Sequence, residues 1–151
     1  MKTEQTVSPL HPNFATRRAS RFFTLDRARC ALPLVRRIAT DIVEQHRYVC
    51  ELEDRCHESG TATNDQNLRE RYAAALDRLR DLIDELAAIG CELRDWRRGI
   101  VDFPAYHDGK RIEFCWRLGE ADITHWHEPD AGFCGRRDVS ELNMPRRSLT
   151  A

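Results

Sequence analysis

The sequence predicts an α+β fold: a long antiparallel helical hairpin, preceded by a short helix, packed with a small three-stranded antiparallel β-meander. Two apolar stripes at heptad spacing predict the hairpin, with a polar, turn-rich segment between them. Beyond Gly99 the apolar period shortens to two, which predicts the strands. Two tight-turn signals in that part agree on which residues share a face.

The elements follow in order. Residues 1–22 carry prolines in "SPLHPNF" and a basic cluster, and read as a disordered tail. Thr24 suits a helix N-cap, with Asp26 in the first turn where the helix dipole favours an acid. Pro33 then divides the pattern into a short helix over 25–31 and a long helix that has Pro33 at its first position. The first stripe is Val35, Ile38, Ile42, Gln45, Val49, Leu52 and Cys56. The second is Leu68, Tyr72, Ala75, Leu79, Leu82, Leu86 and Ile89, stopped by Gly90. Each arm spans roughly 35–40 Å at the helical rise. Leu76 and Ile83 widen the second arm's apolar face, so it must cover the sheet or a second copy of the chain.

Asp108-Gly109 is a two-residue hairpin signal, and Gly119-Glu120 places Gly first, as a type II′ turn wants. The first turn pairs Ala105 with Ile112, Phe103 with Phe114 and Val101 with Trp116. The second pairs Trp116 with Ile123, Phe114 with His125 and Ile112 with His127. Opposite residues share a face. Val101, Phe103, Ala105, Ile112, Phe114, Trp116 and Ile123 then form one apolar face that also receives His125 and His127. Asp102, Glu113, Cys115, Arg111, Arg117 and Trp126 fall on the other. One domain is expected over 23–137, with the hairpin at 23–90, the meander and closing loop at 91–137, and a second disordered tail over 138–151.

The bulk numbers narrow the function classes. With 151 residues, 41% hydrophobic and 32% charged, the chain suits one domain with a modest core. Its net charge is −1, and basic and acidic groups nearly balance in the middle and last thirds. No sustained basic excess exists for a nucleic acid or an anionic membrane, so neither partner is expected. No apolar run approaches a membrane span and no signal-peptide core is evident. Six cysteines without a C-x-x-C predict free thiols and a cytoplasmic location.

Chemistry concentrates in "CWRLGEADITHWHEPDAGFCGRR", residues 115–137. His125 and His127 form an H-x-H pair on one strand, pointing the same way about 7 Å apart. With Asp130 they could hold a transition metal such as zinc, and Cys134, Glu120 and His107 are further ligand candidates. Histidines at a core rim are more often held by a carbonyl or carboxylate, and an acid–base role is the third reading. Arg136 can fork onto an acid in a structural clasp. Arg111, Arg117 and Arg136 could bind an anion, but Asp102, Glu113 and Asp122 favour mutual ion pairing. Cys115 and Cys134 lack an evident base and read as idle thiols. Nucleotide-loop, nucleophile-elbow and zinc-protease motifs are absent.

Two segments, "FTLDRARCALPLVRRIATDIVEQH" and "GIVDFPAYHDGKRIEFCWRLGEADITHWHEPDAGFCGRR", together resemble a bacterial family of uncharacterised proteins, domain of unknown function 2203. The resemblance covers about 23 to 137. Its motifs fall on Phe23 to Leu25, Pro33 to Val35, Gly99 to Pro104, Cys115 to Glu120, Trp126-His127 and Asp130 to Arg136. It implies no activity. It does single out His127, Asp130, Arg136, Glu120 and Asp102 as candidate functional residues, with His125 and Cys134 as departures from the family pattern. The leading expectation is a small cytoplasmic binding or interaction module that self-associates through its hairpin. The alternative is a metal-binding protein or enzyme with a site around His127 and Asp130. The register predicts that Glu120 lies roughly 20 Å from His127 and takes no part in that site.

Overall fold

The structure is a computed structural model that describes residues 22–58 and 66–143. The tail expected over 1–22 lies outside those residues except for Phe22, as does the end of the second expected tail, 144–151. Helix α1 spans Leu25–Glu58 and helix α2 Gln66–Ile89. Five strands follow: β1 Glu92–Asp95, β2 Ile100–His107, β3 Lys110–Arg117, β4 His125–His127 and β5 Arg137–Asp138. Short 3₁₀ turns at Phe133–Gly135 and Val139–Leu142 flank β5. The sheet order is β1-β2-β3-β4-β5, antiparallel throughout.

The helices run antiparallel, since Gln45 donates to the Ala75 carbonyl at 3.0 Å while Tyr48 meets Arg71 at 3.2 Å. The expected stripes form the seam, with Val35, Ile38, Ile42, Val49 and Leu52 buried on α1 and Leu68, Ala75, Leu79, Leu82 and Leu86 on α2. Leu76 and Ile83 are half-buried against the same core. Thr24 caps α1 as expected, its hydroxyl accepting from the Arg27 N–H at 3.2 Å.

Four expectations need correction. The separate helix over 25–31 does not exist: α1 runs unbroken through Pro33. Proline in a helix interior forfeits one backbone hydrogen bond, and its ring crowds the preceding turn. Here the cost is offset because Ala28, Leu32 and Val35 are buried on both sides of it. The chain also stays within the fold past residue 137, where Leu142 is buried in the core.

The meander is a five-stranded sheet. Strand β1 pairs with β2 after following directly on α2, and β5 closes the far edge against β4. Both edge strands are too short for a periodicity of two to register in the sequence.

The fourth correction is one of register. The β2–β3 hairpin pairs as expected, Val101 with Trp116, Phe103 with Phe114 and Ala105 with Ile112. Asp108 (φ 50°) and Gly109 (φ 73°) both adopt the positive φ of a type I′ turn. The second turn differs. The Glu120 N–H donates to the Arg117 carbonyl at 3.0 Å, so Gly119 (φ 104°) stands third in the turn and not second. The chain then loops through residues 118–124, and β4 pairs Glu113 with His127, Phe114 with Trp126 and Cys115 with His125. A slip of one residue sends every side chain of a strand to the opposite face. Trp126 therefore enters the core, 7% exposed, while both histidines leave it. Energy explains the choice: a buried Trp removes roughly 150–250 Å² from water, about 4–6 kcal/mol at 25 cal/mol/Å².

Helix α1 covers the apolar face. Phe23 meets Phe103 edge-on with centroids 5.2 Å apart, and Arg29 and Arg36 donate to the carbonyls of Ile123 and Ala121 at 3.0 Å. Gly99 (φ 64°) opens β2 where α1 and the end of β3 converge. A Cβ there would sit 2.8 Å from the Leu118 Cβ and 3.3 Å from the Val43 Cγ2. The sheet's other face is left for polar groups.

Candidate functional site

That second face carries a continuous polar row. Glu92 lies opposite Asp102, Asp102 opposite Cys115, Cys115 opposite His125 and His125 opposite Asp138, one residue from each strand. The next row holds Pro104, Glu113 and His127. Solvent is nearly absent from the centre: Asp102, Glu113 and His127 are each 1% exposed and Cys115 is 0%. The closing segment 128–136 lies over this face. The Arg136 guanidinium lies over its Phe133 ring at 4.5 Å, and that of Arg98, from the β1–β2 turn, at 5.3 Å.

Buried charge of this kind must be paired. Asp102 Oδ2 accepts from Arg94 Nε at 2.9 Å and from His127 Nε2 at 3.0 Å. Arg94 also reaches Glu92 at 2.7 Å, and Arg111 pairs with Glu113 at 3.1 Å. Three carboxylates thus face two guanidiniums and an imidazole. The imidazole makes up the balance. Its Nδ1 lies 2.6 Å from the Glu128 carbonyl oxygen, which can only accept, so both ring nitrogens donate and the ring is an imidazolium. Burial works against that charge. The hydrogen bonds to Asp102 and Glu128, with the charges of Asp102 and Glu113, outweigh it and hold His127 above the usual imidazole range. Burial likewise raises the Glu113 carboxyl, with Arg111 opposing.

Cys115 completes the centre. Its thiol, Asp102 and His127 each offer a ligand atom within 4.8 Å of the others. Asp102 Oδ1 is buried with no hydrogen-bond partner, and so is Glu113 Oε2. The trio looks like a cysteine–histidine–aspartate catalytic set but is wired differently. Both nitrogens of His127 are already engaged, by Asp102 and a backbone carbonyl. Burial also pushes the thiol far above its ordinary range, and the Asp102 charge adds to the effect. A nucleophile needs the opposite arrangement.

The comparisons with known proteins can now be set beside this geometry. The family model described as "Uncharacterized conserved protein (DUF2203)" matches residues 21–139. The chain belongs to that family. No curated protein and no solved structure matches it. Within this DUF2203 chain, Asp102, Cys115 and His127 fall on three of the separate motifs that carry the resemblance.

The candidates named from sequence divide into three groups. Asp102 and His127 meet at the buried centre. Glu120 and Arg136 form a second cluster, joined through His125 to the row that holds Cys115. Arg136 Nη1 and Nη2 donate to Glu120 Oε1 and Oε2 at 2.8 and 2.7 Å. His125 joins this cluster and not His127, its Nδ1 lying 2.8 Å from Arg136 Nη2. Asp130 stands exposed in the turn that follows β4 and joins neither. The ligand set His125, His127 and Asp130 is therefore not brought together. The flipped register of β4 aims His127 at Asp102 instead. The sequence reads Cys115 as an idle thiol, and the structure buries it beside Asp102 and His127. The signal that could have found it was its place beside Asp102 and Glu113 on the polar face, once Trp126 is required to be in the core. All six cysteines are free thiols. No helix among the described residues is long and apolar enough to cross a membrane.

Proposed function

We propose that this chain is a metal-binding protein whose ion, of the zinc class, is held by Asp102, Cys115 and His127. The observation that carries the reading is the convergence of a carboxylate, a thiol and an imidazole, all buried, from three adjacent strands. Zinc accepts this donor set at ~2.0–2.3 Å from each atom, which needs ligand atoms roughly 3–4 Å apart. The three ligand atoms all lie within 4.8 Å of one another, close to that spacing.

The surroundings suit the role. The Glu128 carbonyl fixes Nδ1 as the protonated nitrogen and turns Nε2 toward the centre, the arrangement common around ligating histidines. Asp102 can offer its unpartnered Oδ1 while Oδ2 keeps Arg94. A divalent ion entering with loss of the thiol and Nε2 protons leaves the buried charge unchanged. Enclosed on all sides, the ion would staple three strands together and would not meet a substrate.

The test is metal content of the purified, untagged protein by plasma mass spectrometry, together with cobalt(II) titration of the chelated protein. About one ion per chain and a thiolate-to-cobalt charge-transfer band, both lost in Cys115→Ser, are expected. A wild-type protein that holds no ion and gives no band would overturn the reading.

A further inference from the structure

The cluster around Glu120 and Arg136 lines an open cleft of about 660 Å³. Its walls include Arg117, Gly119, Glu120, His125, Phe133 and Arg136. We propose that this cleft binds a small oxyanion, the phosphate or carboxylate group of a ligand, with Arg117 and His125 as its donors. This does not depend on the metal centre.

The argument is an account of donors and acceptors. Glu120 is the one carboxylate in the lining, and it is consumed internally. Its Oε1 accepts from Arg136 Nη1 at 2.8 Å and from the Arg117 backbone N–H at 3.1 Å, and its Oε2 accepts from Arg136 Nη2 at 2.7 Å. Little acceptor strength is left to attract a cation. The donors are not consumed. Arg136 is an obligate donor, so the His125 Nδ1 that faces its Nη2 at 2.8 Å accepts, with the Thr124 hydroxyl, itself able to accept or donate, at 2.9 Å from the same nitrogen. The ring proton then sits on Nε2, leaving His125 with a donor to offer the cleft it lines. The Arg117 side chain is exposed and forms no ion pair among the described residues. Arg136 Nε is buried and without an acceptor.

Ligand class follows from what the walls cannot do. The Arg136 and Arg98 guanidiniums already lie over the Phe133 ring, at 4.5 and 5.3 Å, and compete with any guest for it. The mouth is open beside Gly119, where even a Cβ would meet nothing within 4 Å. A guanidinium and an imidazole N–H around an open mouth match the geometry of phosphate and carboxylate oxygens.

The experiment is titration of the full chain with inorganic phosphate and, separately, with acetate at constant ionic strength, followed by two-dimensional amide NMR. Saturable shifts centred on Gly119, Glu120 and His125 are expected with at least one anion. A response to phosphate alone assigns a phosphorylated ligand, and to acetate alone a carboxylate. Arg117→Gln, at an exposed position, should weaken binding at least tenfold, and His125→Gln severalfold, with the amide spectrum otherwise retained. Protein stripped of metal and desalted should bind the anion with the same affinity, which separates this site from the metal reading. No saturable response to either anion, or full affinity in Arg117→Gln, would overturn the proposal.

Discussion

Asp102 sits where two demands meet: its Oδ2 serves both Arg94 and His127, and water cannot replace either partner at 1% exposure. Removing one member of a buried pair leaves the others charged and unpaired, which costs more than the pair contributed. Asp102→Asn should therefore lower stability by about 2–4 kcal/mol, toward the low side because Arg94 is 46% exposed. Asp130→Ala should change it by no more than about 0.5 kcal/mol, as an exposed turn residue does. Urea unfolding of the two variants beside wild type checks both values. Equal costs would show that the buried network is not what distinguishes these two acids. The sequence marked both residues as candidates and could not rank them. Residue type and spacing say what chemistry a side chain offers, whereas the cost of losing it depends on partners that come from other strands. Cys115 is the harder case, since nothing local in the sequence shows that its thiol is buried beside Asp102 and His127.

Pro33 and Trp126 carry the lesson at the level of elements. A proline rule written for local structure placed a helix boundary at 33, but the apolar positions on either side continue one stripe, and tertiary burial prevails. The exposed Pro33 ring makes no contribution to the core, so the Arg29 carbonyl lacks its donor with nothing gained in packing. Pro33→Ala should restore that bond and stabilise the protein by about 1–3 kcal/mol, read as a higher thermal midpoint by circular dichroism. A lowered midpoint would mean that the helix is organised around the proline. The two heptad stripes were legible because seven positions on each arm repeat one message. The Asp108-Gly109 hairpin was legible because its turn type demands those residues. Gly119 was not, since glycine satisfies the second position of one turn and the third of another. Only the size of Trp126 could have decided between the two registers, because burying it gains far more than burying either histidine.

The molecule as a whole divides its sheet between two kinds of cohesion. Helix α1 holds one face through apolar contact. The other is held by paired charge, with no second helix layer among the described residues. Apolar contact tolerates small shifts of the strands, but paired charge in a dry site does not, so the polar face fixes the relative positions of β2, β3 and β4. An ion bound by one residue from each of those strands would act on the whole fold, because the ligands come together only when all three strands are in register. Binding to the native state alone adds RT ln(1 + [L]/Kd) to stability, about 2.7 kcal/mol at a free concentration one hundred times Kd. Zinc added to the chelated protein should accordingly raise the denaturation midpoint in proportion to the logarithm of its concentration. Cys115→Ser should start within about 1.5 kcal/mol of the chelated wild type and gain almost nothing from zinc. A zinc response that persists in Cys115→Ser would place the stabilising ion elsewhere in the chain and reduce the buried trio to a purely structural charge network.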